Sequence, residues 1–203
     1  MRFKPTTIYL ICFAIFVTLL IILATSYLKP KYKYEAPATI VATSFKSAAP
    51  LKPFALTDTT GTQFTEKSLR GHWTLIFFGY TLCPDICPKT LGIVRDSWQI
   101  FASNNQPPPV RFVFADMSRT PVPTAELQHF VQNYNPTFLG LSGPPEQMHQ
   151  LSDQLGIYVQ QLPDKMDHTA ALMLIDTQGR LRAVLTPPFT AQDIVHDLQL
   201  LTR

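Results

Sequence analysis

Charge is missing from one end of this chain: no Asp, Glu, Lys or Arg occurs from residue 5 to residue 28. Residues 8–23 read Ile-Tyr-Leu-Ile-Cys-Phe-Ala-Ile-Phe-Val-Thr-Leu-Leu-Ile-Ile-Leu. A membrane-crossing helix needs about 20 mostly apolar residues, which this stretch supplies. A cleaved signal peptide has an apolar region of only about 7–15 residues before a small-x-small site. The run here is longer, and Ala24-Thr25-Ser26 is a poor cleavage signal. Residues 1–28 are therefore expected to be an uncleaved transmembrane anchor. Arg2 and Lys4 before the span nearly balance Lys29, Lys31 and Lys33 after it, so charge bias alone does not orient it.

Cysteine is scarce as well, with 3 in 203 residues. Cys12 falls inside the apolar span and reads as a small apolar residue. One pair remains, Cys83 and Cys87. A basic excess is also lacking where it would matter. The formal charge of +3 comes from the residues flanking the span, and from residue 36 onward 12 basic residues face 13 acidic ones. Nucleic-acid binding, which usually shows a basic face, is excluded on that ground. There is no internal repeat. Residues 29–50 are rich in Pro, Ala, Ser and Thr with scattered Lys, and read as a linker. Residues 51–203 make one domain's worth of chain.

What is present in that domain is an alternation of strands and helices. Residues 54–57 and 63–65 alternate apolar and polar around Asp58-Thr59-Thr60-Gly61, which predicts a β-hairpin. Residues 73–79 form a continuous apolar run, as expected of a strand buried on both faces. Helical spacing follows over 86–104, with Leu91, Val94, Trp98 and Phe101 on one side. Further strands are expected at 110–115, 138–141, 171–176 and 181–185, and helices at 123–134, 145–155 and 191–201. The order implies a largely parallel central sheet covered by helices. Its closing β-β-α unit is that of a thioredoxin-like fold. In open α/β sheets chemistry lies beyond the carboxyl ends of the strands, and Cys83 and Cys87 follow directly on such an end.

Two cysteines four apart at the start of a helix fall on one face, about one turn apart. Their sulfurs can then bond each other or share a metal. The helix N-terminus favours thiolate, the form that attacks disulfides and binds metals. A purely structural bridge would close only a tiny loop and stabilise little. Two sulfurs need a further ligand to complete a metal site, and soft thiolates with imidazole suit copper. His129, His149 and His196 lie on helices and read as surface residues, while His72 precedes its strand and sits at the far end. His168 lies just before the strand at 171–176, in a loop that faces the cysteines in thioredoxin-like folds. A peroxidase of the peroxiredoxin type would need Thr-x-x-Cys, and Thr81 stands too close to Cys83 for that.

Residues 78–88, Phe-Gly-Tyr-Thr-Leu-Cys-Pro-Asp-Ile-Cys-Pro, with Asp167-His168-Thr169 and Leu174-Ile175-Asp176, closely resemble the Sco/SenC family. The resemblance spans nearly all of 50–203, including Gly71-His72-Trp73 and residues 138–143. It implies a thioredoxin-like fold with an added N-terminal hairpin, behind one transmembrane helix. It implies one copper ion, Cu(I) or Cu(II), held by Cys83, Cys87 and His168. It implies a copper-delivering assembly factor for the binuclear copper site of cytochrome c oxidase subunit II. The alternative is a thiol-disulfide reductase that keeps that site's cysteines reduced, with Cys83 and Cys87 as its redox pair. A dithiol pair beside a membrane suits an oxidising compartment. The domain would face the periplasm from the inner membrane, or the intermembrane space in a mitochondrion. Leu82 departs from the His usual before the first cysteine, and Thr169 from a common Ser. Residues 115–121 keep Asp116 and Arg119 of the family's loop but lack its second acid.

Overall fold

The computed structural model describes residues 9, 15–20, 38–46, 48–157, 159–161, 166–168 and 170–203. The chain divides into two units, residues 1–36 and 37–203. In the first, residues 15–20 are helical. Among the described residues no helix is long and apolar enough to cross a membrane. Most of the expected anchor, and Cys12 with it, lies outside the described residues.

The second unit holds a mixed sheet of strands β1 (Ala42–Ser44), β2 (Ala55–Asp58), β3 (Gln63–Thr65), β4 (Thr74–Gly79), β5 (Arg111–Asp116), β6 (Leu139–Ser142), β9 (Leu172–Ile175) and β10 (Leu181–Leu185). Helices α1 (Ile86–Ser103), α2 (Thr124–Gln132), α3 (Pro145–Gln154) and α4 (Ala191–Leu201) accompany it. A separate hairpin pairs β7 (Val159–Gln161) with β8 (Met166–His168). The spatial order is β1-β10-β9-β4-β5-β6-β2-β3 among the described strands. This is a thioredoxin-like fold, with the β2–β3 hairpin added at the β6 edge. Only β4, β5 and β6 run parallel. The other sheet pairings are antiparallel, so the sheet is less parallel than the alternation of elements predicts. The cause is connection length: β9 and β10 are joined by a tight turn around Gly179, which only an antiparallel pair accepts.

Strand β4 sits near the middle and is buried along its whole length. Its side chains alternate between two cores, as the period of two demands. Leu75 and Phe77 join Leu91, Val94, Trp98 and Phe101 of α1 and Ile194 and Leu198 of α4. Ile76 and Phe78 join Leu56, Phe64, Met148 and Leu151 on the opposite face. Trp98 fills the first core edge-on to Phe138 at 5.3 Å and to Phe112 at 6.0 Å. Thr190 caps α4, accepting the Asp193 amide while the Asp193 side chain returns to the Thr190 amide.

The sequence reading places residues 29–50 in a linker, but Ala42–Ser44 is an edge strand on β10. Its anchor is remote in sequence. The fully buried Asp197 carboxylate on α4 accepts the amides of Ile40 at 2.8 Å, Val41 at 2.9 Å and Ala42 at 2.8 Å. Three charge-assisted bonds order a segment whose own side chains would not.

Candidate metal centre

Strand β4 delivers the chain to one pole of the sheet at Gly79. Residues 80–85 turn, and α1 starts at Ile86. The Cys83 amide donates to the Tyr80 carbonyl at 3.1 Å, which tightens that turn. The N-cap residue, Asp85, makes no side-chain cap bond. A sulfur accepts instead: the Cys87 amide donates to Cys83 Sγ at 3.4 Å. The first amides of a helix have no intrahelical partner, and Cys83 occupies the place a Ser or Asp side chain usually takes.

The two cysteines are thiols in different surroundings. Cys83 is half-buried and Cys87 fully buried. Burial pushes the Cys83 thiol up, but the amides of Cys87 and Asp85, then the Cys87 thiol and the Tyr80 hydroxyl, outweigh it and bring the group below its ordinary value. For Cys87 burial dominates and pushes the thiol far up. The Tyr80 amide pulls the other way, and Cys83 and Asp116 add to the rise. The pair thus consists of an accessible sulfur that ionises readily and a buried sulfur that holds its proton. That buried sulfur fits because residue 79 is glycine. A Cβ there would lie 2.9 Å from Cys87 Sγ and 2.8 Å from Phe114 Cε2.

Asp116 ends β5 directly across from Gly79 in the parallel register. It is 4% exposed. Its Oδ1 accepts the Ser118 hydroxyl at 2.8 Å, and its Oδ2 has no hydrogen-bond partner among the described residues. Burial pushes the carboxyl up to about 6, against the pull of the Ser118 hydroxyl and the amides of Ser118, Thr81 and Val122. The sequence reading takes Asp116 as loop structure. The register instead places a buried acid beside the cysteine turn, a position that only strand pairing reveals.

The sequence brings Cys83 and Cys87 together as expected. His168 closes β8, with its backbone opposite Val159, rather than lying in an open loop. Because β9 is antiparallel to β4, with Leu172 across from Phe77, the chain enters β9 at the pole where the cysteine turn lies. The expected ligand role of the His168 imidazole lies outside the described residues, as does Thr169. Among the described residues no three His, Cys, Asp or Glu side chains are grouped to hold a metal. Of the other histidines, His196 is half-exposed with its Nδ1 3.0 Å from Asp197 Oδ1, and His72 lies before β4, away from the cysteines. Tyr80 and Gly79 are the residues that sequence reasoning missed. The signal for Gly79 was a glycine closing an otherwise bulky apolar strand.

The SCO1/SenC family model matches residues 43–203. An SCO2-like protein of Rickettsia prowazekii is 30% identical over 151 residues, covering 70% of this chain and 72% of the relative. The solved structure of Bradyrhizobium japonicum ScoI with copper bound superposes with a TM-score of 0.62 at 32% identity, covering 75% of this chain and 99% of that one. Arabidopsis thaliana ScoI with copper bound gives a TM-score of 0.66 at 26% identity, covering 73% and 94%.

Proposed function

This chain belongs to the SCO1/SenC family, and on that premise we propose that it binds copper at Cys83, Cys87 and His168 and delivers it to the binuclear copper site of cytochrome c oxidase subunit II. The observation that carries the reading is the sulfur pair at the start of α1. One sulfur already accepts an amide and ionises below the usual thiol range, and the second lies one helical turn away. Thiolates are the form that binds metal, and soft sulfur donors select Cu(I). Copper here is cargo. The accessible Cys83 is the ligand an acceptor reaches first, while Cys87, which is buried, retains the ion together with His168 until exchange. Residues 1–28 anchor the protein to the inner membrane, with the domain in the periplasm or, in a mitochondrion, the intermembrane space. The uncharged stretch over 5–28 supports the anchor.

The test is a Cu(I) titration of the reduced full chain against a competing chelator. One ion per chain is expected, with His168→Ala weakening binding at least tenfold and Cys83→Ser abolishing it. Equal affinity in His168→Ala would remove the histidine from the site.

The asymmetry of the two thiols favours a second use of the same sulfurs. Cys83 thiolate attacks a disulfide in the copper acceptor and forms a mixed disulfide, releasing one acceptor thiolate. Cys87 then loses its proton and attacks Cys83 Sγ, releasing the second acceptor thiol. Two electrons pass from the pair to the acceptor, and the pair ends as a disulfide. Thiol-disulfide exchange is pKa-controlled in this manner. A protein that cannot reduce an oxidised subunit II copper-site peptide at neutral pH lacks this activity.

A further inference from the structure

Only four large apolar side chains are exposed among the described residues of the 37–203 unit: Ile40, Phe45, Leu82 and Ile86. Two of them bracket Cys83. Leu82 is 84% exposed and Ile86 47% exposed, and Pro84 between them is also exposed. A lone exposed leucine means little, but a cluster of apolar side chains around a reactive group marks an interaction site. The charges nearby cancel locally. Asp85 Oδ1 and Lys89 Nζ form an exposed pair at 2.6 Å on successive turns of α1. Among the described residues, the 82–89 surface beside Cys83 is therefore apolar, with its one pair of opposite charges matched.

Function limits what can cover it. Sulfur-to-sulfur bonding brings two atoms to about 2 Å, and a metal shared between two sulfurs leaves them within about 4–5 Å, two metal–sulfur bonds. A protein that reaches Cys83 Sγ must press against residues 82, 84 and 86. We propose that Leu82, Pro84 and Ile86 form an apolar docking rim that seats the copper-accepting protein through an uncharged apolar surface surrounding that protein's own sulfur ligands. The proposal rests on the copper-delivery reading and adds the determinant of partner choice. The rim sets affinity for the acceptor without contributing a copper ligand. A large apolar residue at 82 means that this chain selects its acceptor by hydrophobic fit, so the encounter is insensitive to salt.

The experiment uses the full chain in lipid nanodiscs, loaded with Cu(I). It is mixed with the copper-free soluble domain of subunit II from the same organism, or with the small chelator bathocuproine disulfonate. Leu82→Asp should keep the Cu(I) affinity and the release rate to the chelator. Its transfer to the protein acceptor should slow about tenfold or more, the scale of one lost leucine contact. Leu82→Met should transfer at the wild-type rate. The wild-type rate should change less than about twofold between about 0.05 and about 0.5 M salt. Equal transfer by Leu82→Asp overturns the rim while leaving copper delivery intact, and a steep fall with salt overturns its uncharged character. Self-association of the wild type that Leu82→Asp abolishes, with transfer unchanged, reassigns the rim to a second copy. A wild type that holds no Cu(I) overturns the copper reading itself.

Discussion

Gly79 makes room for Cys87: a Cβ at position 79 would stand 2.9 Å from Cys87 Sγ, closer than atoms pack, and 2.8 Å from the Phe114 ring. The strand that delivers the cysteine turn and the helix that carries its second sulfur thus meet without a side chain between them. Gly79→Ala should cost about 1–3 kcal/mol of stability through overpacking. It should also weaken Cu(I) binding, because Cys87 has to move. Urea unfolding and copper titration read the two effects. A variant as stable as wild type would show that the strand end and α1 can part freely.

The two thiols should separate by reactivity. Cys83 is half-exposed and lowered, so its alkylation rate by iodoacetamide should rise with pH around a midpoint below the ordinary thiol range. Cys87 is buried and raised, and should stay unmodified across the same range in the folded protein. Peptide mapping after alkylation at a series of pH values assigns the sites. Faster labelling of Cys87 would reverse the roles of nucleophile and resolving thiol.

The elements that sequence alone reveals are those whose residues carry their own pattern. Strand β4 declares itself by an unbroken apolar run, α1 by its stripe of Leu91, Val94, Trp98 and Phe101, and the cysteine pair by its spacing at a strand end. What stays hidden depends on partners far along the chain. Ala42–Ser44 has no strand pattern, and becomes a strand because Asp197 and β10 hold it. The β7–β8 hairpin is built from two three-residue strands, Val-Gln-Gln and Met-Asp-His, each too short and too polar to show a period of two. Asp116 looks like a loop acid until the β4–β5 register sets it opposite Gly79.

Asp197 offers a test of the remote anchor. Burial pushes its carboxyl up, but the Ile40 amide, His196 and the amides of Val41 and Ala42 outweigh this and hold it below the usual carboxylate range. A depressed carboxyl stabilises the fold above its unfolded value of about 3.9, and that stability is lost as pH falls through the lower folded value. Asp197→Asn should cost about 1–3 kcal/mol at neutral pH, since an amide nitrogen would then face backbone donors. The gap between variant and wild type should narrow below about pH 4. Hydrogen exchange at Ile40–Ala42 should speed up in the variant. Protection unchanged there would mean that β10 alone holds the strand.

Asp116 should behave in the opposite sense. Its carboxyl is raised to about 6 by burial, so the folded state binds a proton that the unfolded chain has already released above about pH 4. The stability it contributes is full below that point and is lost as pH rises through about 6. Asp116→Asn keeps an oxygen for the Ser118 hydroxyl and removes the buried charge. The variant should match wild type near pH 4 and exceed it by about 3 kcal/mol above pH 7. The same charge raises the Cys87 thiol, so its removal should also ease ionisation of Cys87 and speed the second step of disulfide exchange at neutral pH. Urea melts at pH 4 and pH 7.5, paired with single-turnover reduction of a model disulfide, measure both. A variant that gains stability with unchanged exchange kinetics would confine Asp116 to a structural cost and leave Cys87 governed by burial and its other neighbours, Cys83 and Tyr80.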